Sequence, residues 1–179
     1  MRKIKKILLL RSYVVLFIIL LNEFISIKNG NIVKYNNSKE ENNKIVVTYF
    51  SNVDGDTAKF KLDGEIIKVR FLGIDTPETP ESPRGEQDLW EEASNFTKEK
   101  LENANRIEIE YDKHADEKDK YDRILAWIWV DDNLLQEELV SNGLAKTYML
   151  QDNYKYASKL KKAETNAKEN NLGIWKGDR

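Results

Sequence analysis

Between Asp54 and Arg123 the chain spaces out side chains suited to work at a phosphate ester. They are Asp54, Asp56 and Thr57 in VDGDT, Arg70 in VRFLG, Asp75, Thr76 and Glu78 in IDTPET, and Arg123 in DRILAW. Carboxylates beside a backbone carbonyl are hard oxygen donors of the kind Ca²⁺ or Mg²⁺ takes. Arginine grips phosphate oxygens in bidentate fashion and neutralises charge developing at phosphorus. All three prolines, Pro77, Pro80 and Pro83, fall in one short stretch. Fixed φ and the missing N–H exclude helix interior and sheet ladder there, so Asp75, Thr76 and Glu78 sit on or beside a stiff loop. Proline also biases its predecessor towards extended backbone, which turns the Thr76 carbonyl outward.

Composition removes several other chemistries. The 179 residues contain no cysteine and one histidine, His114. Disulfides, thiol nucleophiles, Cys-based zinc sites and multi-His metal sites are therefore excluded. The formal charge of -2 hides an asymmetry, because residues 1 to 30 hold six Lys/Arg against Glu23 alone. The remainder carries 23 basic and 30 acidic residues. An acidic domain attracts polyanions weakly, so phosphate binding must come from local cations or a bound metal.

Each feature also has a plainer meaning. Asp54-Gly55 alone is a turn signal, and Arg70 and Arg123 alone suit surface ion pairs. His114 lies in the charged run DKHADEKDKYD, which lacks the glycine and terminal glutamate of an EF-hand. Phe71, Trp127 and Trp129 read as core. Three acids and two arginines in this order on these elements make little sense as a packed core.

The elements that must position them can be read from periodicity. IVVTYF (45–50) and DTAKFKL (56–62) are β-rich, and Asp63-Gly64 is a hairpin turn into EIIKVRFLG (65–73). Residues 87–104 have helical spacing. Residues 106–111 alternate as a half-buried strand, with Ile107 and Ile109 inward and Glu108 and Glu110 outward. RILAWIWV (123–130) reads as a strand covered on both faces. Helices are expected at 134–142, stopped by Gly143, and at 153–170. Five strands with a helix after the third predict an α+β fold: a five-stranded OB-type Greek-key β-barrel with three helices. Ahead of it, residues 1–28 pair MRKIKK with an apolar run, as in an export signal or an uncleaved membrane anchor. Residues 29–43 read as a disordered tether, leaving 44–179 as the domain. A secreted protein is expected, with membrane anchoring as the alternative.

VDGDT, VRFLGIDTPET, EASNFTKEKLENA, DKYDRILAWIWV and LVSNGLAK together resemble the ordered motifs of the staphylococcal nuclease, or thermonuclease, family. The resemblance runs from about Val47 to Trp175. It implies Ca²⁺-dependent hydrolysis of DNA and RNA to products ending in 3′-phosphate, with single strands preferred, by a monomer. It implies metal ligation by Asp56, Asp75 and the Thr76 carbonyl. Arg70, Arg123 and Glu78 would be catalytic, and Lys120, Tyr121 and Tyr148 would bind substrate. The best-known members are strongly basic, and this domain is not. A binding module without catalysis, or a tethered interaction domain, is the rival expectation, which chelator-sensitive cleavage would separate from an enzyme.

Overall fold

The computed structural model describes residues 44–177; the signal or anchor (1–28) and tether (29–43) expected from the sequence lie outside the described residues. The first strand, β1 (Lys44–Asn52), pairs antiparallel with β2 (Thr57–Leu62), which pairs with β3 (Glu65–Phe71). The β2–β3 turn is tight because Asp63 and Gly64 both take positive φ, 50° and 88°. An Asp-Gly pair suits that conformation. On its other side β1 pairs with β5 (Ile107–Glu110), and β5 with β6 (Ile124–Val130). A parallel pairing of β3 with β6 closes the five strands into an OB-type barrel. Two short strands, β4 (Ile74–Asp75) and β8 (Lys146–Thr147), form a separate ribbon, and β7 (Asn133–Leu134) extends β6.

Three helices pack on the barrel: α1 (Trp90–Glu102), α2 (Leu135–Ser141) and α3 (Ala157–Glu169), with a 3₁₀ turn at Gly173–Trp175. Inward positions of the barrel strands, Ala58, Phe60, Val69, Ile109 and Trp127, are fully excluded from solvent and merge with Leu135, Leu139 and Leu160 of the helices. Gly143 has φ 66°, and a Cβ there would lie 2.2 Å from the Leu172 carbonyl oxygen. Only glycine lets the end of α2 approach the chain beyond α3 so closely.

Two helices start later than periodicity predicts. α1 begins at Trp90 rather than Gln87, because the Gln87 N–H donates to the Glu78 carbonyl (3.0 Å) while its side-chain oxygen accepts from the Glu78 N–H (3.1 Å). Gln87 is thus held as a partner of the proline loop. α3 begins at Ala157 rather than Asn153, with the Lys155 N–H donating to Asp112 Oδ2. The strand β5 is not half-buried: all four residues are buried, Glu108 and Glu110 included. Glu110 accepts from Trp129 Nε1 and the Tyr156 hydroxyl, each at 2.8 Å, and pairs with Lys155. Alternation cannot distinguish a solvated glutamate from one covered by a helix whose start supplies its donors.

Candidate active site

The VDGDT turn delivers Asp56 to the first position before β2. The Val53 and Asp54 N–H groups both donate to the Thr57 carbonyl, and Asp54 Oδ1 accepts from the Asp56 N–H. Gly55 is required by crowding, since a Cβ there would meet Thr76 Oγ1 at 2.7 Å and the Thr76 Cβ at 2.9 Å. The turn is tied to α1 through Thr97, whose hydroxyl donates to the Gly55 carbonyl at 2.6 Å. Asn52 Nδ2 reaches Ser94 Oγ at 2.9 Å beside it.

Across the β2–β3 ladder Thr57 lies opposite Arg70. This register places the Arg70 guanidinium between two acids: NH1 is 3.0 Å from Asp56 Oδ2 and NH2 is 3.2 Å from Asp75 Oδ1. NH1 also donates to the carbonyls of Phe71 and Ile74. Asp56 and Asp75 are only 5% and 4% exposed. Asp56 Oδ2 accepts the Thr76 N–H at 2.9 Å, which seats the Thr76 peptide against the carboxylates. Burial, only partly offset by Arg70, pushes the Asp56 carboxyl up to about 7. Among the described residues Arg70 is the one cation paired with Asp56, whereas Asp75 also meets Arg84 and Lys146, so an added cation has to compete with these side chains.

The residues fit a hard divalent metal. Asp56 and Asp75 supply carboxylate oxygens, the Thr76 peptide lies beside them, and no imidazole or thiol competes. Among the described residues no group of three or more His, Cys, Asp or Glu is gathered as ligands. The protein's own shell would be partial, leaving positions for water and substrate, as an open catalytic centre requires.

Glu78 follows on the proline loop, fixed by its two backbone bonds to Gln87. Its carboxylate pairs with Arg84, which also makes a two-point contact with Asp75: NH1 to Oδ2 at 3.2 Å and NH2 to Oδ1 at 3.1 Å. The Asp75 hydrogen bond, with Tyr148 and Asp56 contributing, raises the Arg84 pKa. Lys146 adds a third cation, its Nζ 3.7 Å from Asp75 Oδ2 across the β4–β8 ribbon. A shallow cleft of about 160 Å³ opens here between Asp75, Thr76, Gln87 and Lys146.

Arg123 opens β6 beside β3, since Ile124 lies opposite Val69. It is held by Asp119 rather than by the central acids, with Nε to Oδ2 at 2.7 Å and NH2 to Oδ2 at 2.6 Å. Burial pushes the Asp119 carboxyl up, but bonds from Arg123 and the Tyr121 N–H outweigh it and hold the group below its ordinary value. The Tyr121 ring, 68% exposed, lies 4.9 Å from Lys120 Nζ and 5.4 Å from the Arg123 guanidinium carbon. Tyr148 is 45% exposed, and its N–H donates to the Gly73 carbonyl at 2.9 Å.

The structure therefore gathers Asp56, Arg70, Asp75, Thr76 and Glu78 at one end of the barrel wall and groups Lys120 and Tyr121 with Arg123. Sequence reasoning missed Arg84, Gln87, Lys146 and Thr97. Arg84 carried a usable signal, as the only cation between Ile74 and Leu89 in a segment with five acids. The other three are recognisable only from their partners.

A family model described as "Staphylococcal nuclease homologue" matches residues 68–177. The chain belongs to the staphylococcal nuclease family. Among its relatives, the thermonuclease of Staphylococcus hyicus is 36% identical over 139 residues, covering 78% of each chain. The SPbeta prophage-derived endonuclease YokF of Bacillus subtilis is 43% identical over 130 residues, 72% of this chain and 43% of YokF. Endonuclease YncB of the same organism is 39% identical over 139 residues, 77% of this chain and 65% of YncB. The chain thus spans less than half of YokF. The family match begins at Lys68, so Asp56 lies ahead of it and meets Arg70 and Asp75 through the β2–β3 register.

Proposed function

We propose that this protein is a calcium-dependent nuclease that hydrolyses phosphodiester bonds of DNA and RNA to products ending in 3′-phosphate. The supporting observation is the pair of buried carboxylates, Asp56 and Asp75, bridged by Arg70 and adjoining Thr76 beneath a loop that presents Glu78. The names of the thermonuclease and endonuclease relatives point the same way.

Asp56, Asp75 and the Thr76 carbonyl would hold the metal. When bound, Ca²⁺ supplies charge that polarises a phosphoryl oxygen and orients water. Arg70 and Arg123 bind the remaining phosphate oxygens and stabilise the charge that builds as water attacks phosphorus. Glu78 orients that water and accepts its proton; its two backbone bonds to Gln87 fix the loop that carries it, and its carboxylate leaves Arg84 to do so. The bond from phosphorus to the 5′ oxygen breaks, and the leaving oxygen takes up a proton from solvent water while Glu78 returns the one it accepted to solvent. Tyr121, Lys120 and Tyr148 border the site as a base platform and phosphate contacts. Calcium is favoured over magnesium because an irregular shell of two carboxylates and a carbonyl suits flexible coordination. Single-stranded substrate is favoured because an exposed ring stacks only on an unpaired base. Monomeric action rests on the family resemblance. Secretion rests on the basic and apolar N-terminal stretch.

The test is cleavage of single-stranded DNA and of RNA by the full chain, with Ca²⁺, with Mg²⁺ and with chelator. Calcium-dependent cleavage that Glu78→Gln slows while binding persists is expected. Full activity in chelator, or a Glu78→Gln variant at wild-type rate, would overturn the reading or remove Glu78 from it.

A further inference from the structure

We propose that the outer face of β2 and β3 is a binding track for the single strand leading away from the cleavage centre, with Lys59, Lys61 and Lys68 holding its phosphates and Phe50 stacking on a base. This rests on the nuclease reading above and extends it to residues outside the catalytic site.

The track follows from register. Thr57 lies opposite Arg70, Lys59 opposite Lys68, and Lys61 opposite Ile66. Alternate residues of a strand share a face and lie about 6.5–7 Å apart. The intervening Ala58, Phe60 and Val69 are completely buried, so the lysines point outward. The row therefore begins at Arg70, whose guanidinium touches both Asp56 and Asp75, and continues along the barrel wall through Lys68 and Lys59 to Lys61.

Stability does not account for this row. Like charges directly opposite in a sheet are destabilising, yet Lys59 and Lys68 are cross-strand partners. Among the described residues none of the three forms an ion pair, whereas Lys100, Lys155, Lys159 and Lys168 each have a carboxylate partner. In a domain with excess acid, unpaired cations in line with the catalytic arginine form a local attraction for phosphate. Phe50 adds an aromatic to it. The β1–β2 register shifts between Tyr49 and Ser51, leaving Phe50 as the bulged residue with its ring 44% exposed. Lys61 Nζ stands 5.3 Å from the ring centroid. Cations interleaved with an exposed ring form a platform for single-stranded nucleic acid, whose unpaired bases are free to stack. Charge complementarity and continuity with the cleavage centre both select that occupant.

The test is fluorescence anisotropy of the full chain with labelled dT20 and dT4 in chelator over a range of NaCl, comparing wild type with Lys59→Gln/Lys61→Gln/Lys68→Gln. A second triple, Lys98→Gln/Lys113→Gln/Lys162→Gln, makes the same charge change on other exposed surfaces. Affinity for dT20 should fall about tenfold in the first triple. The slope of log affinity against log salt should shrink by about 2, at about 0.7 per phosphate contact on a single strand. Affinity for dT4 should change less than twofold, and the second triple should leave the slope as in wild type. Phe50→Ala should weaken dT20 binding at unchanged slope. If the first triple fails to fold, each single lysine variant should lower the slope by about 0.7. An unchanged dT20 slope, or an equal loss in both triples, overturns the track. Lysine-dependent binding to phosphatidylserine vesicles in its place assigns the row to an anionic membrane. Calcium-dependent cleavage of dT20 by wild type, measured alongside, tests the nuclease reading separately.

Discussion

Two buried acidic pairs sit at different places on this barrel, and they are held in different ways. Glu110 and Asp112, where β5 meets the start of α3, are 1% and 5% exposed. Rigid neighbours satisfy most of their bonds, with Lys155 on Glu110 as the one long, exposed cation among them. Glu110 accepts from Trp129 Nε1 and the Tyr156 hydroxyl, and Asp112 from Trp127 Nε1 (3.0 Å) and the backbone N–H groups of His114 and Lys155. Asp56 and Asp75 are equally buried, but their partners include the long side chains of Arg70, Arg84 and Lys146, and those of Arg84 and Lys146 are about half exposed. Partners that can move leave room for a competing cation or phosphate, whereas indole and backbone donors do not. Burial alone thus does not separate the two pairs, whereas the share of indole, phenol and backbone donors does.

The comparison breaks first at Glu110. Glu110→Ala should cost about 2–4 kcal/mol of stability, because it leaves the Trp129 Nε1 and Tyr156 hydroxyl donors unpaired at about 1–3 kcal/mol each, measured by urea unfolding. A loss below about 1 kcal/mol would show that this pair is no staple. Arg70→Gln should act on rate instead, lowering turnover on single-stranded DNA about 10²–10³-fold, the scale of one lost transition-state donor. A rate within threefold of wild type would remove Arg70 from the chemistry.

Titration sharpens the contrast. Asp56 is held up to about 7 by burial, against an ordinary 3.8, so the folded protein keeps a proton that the unfolded chain releases. Metal-free stability should therefore fall as pH rises from about 4 to 7. Calcium bound at Asp56 as proposed would displace that proton, so its affinity should rise about tenfold per pH unit up to about 7 and then level off. Calorimetric titration of calcium between pH 5 and 8 checks this, and a flat profile would contradict it. At the other pair, burial pushes the Tyr156 phenol up to about 12, with the Glu110 carboxylate adding to it. The stability it contributes should be lost only between pH 10 and 12, in urea unfolding that leaves calcium affinity at pH 7 untouched. Arg84→Gln is the smallest effect. With Asp75 freed of a half-exposed competitor, the proposed site should bind calcium about threefold more tightly, and weaker binding would make Arg84 a support of the site instead.

Much of the candidate site's make-up is legible in the sequence. DGDT, VRFLGIDTPET and DRILAW name their residues because strand ends, Gly73 and clustered prolines are local signals that hold in any fold. The barrel followed from five β-rich runs and one Asp-Gly hairpin. What stayed hidden were roles assigned by distant partners. Gln87 looked like the first residue of an amphipathic helix, and its side chain and N–H are instead spent on Glu78. Glu110 looked solvent-facing by alternation, and it is covered by Lys155 and Tyr156, more than forty positions away in the chain.

The sequence alone determined which side chains are available for chemistry: carboxylates, arginines and hydroxyls, with no thiol and a single histidine. It also determined where the stiff loop falls, because proline and glycine act through their own backbone. The tertiary structure decided which carboxylates are available. That depends on the β2–β3 register that slides Arg70 between Asp56 and Asp75, on Thr97 anchoring Gly55, and on whether each acid's donors are fixed or free. These are properties of pairs brought together by closing the barrel, and no residue carries them by itself.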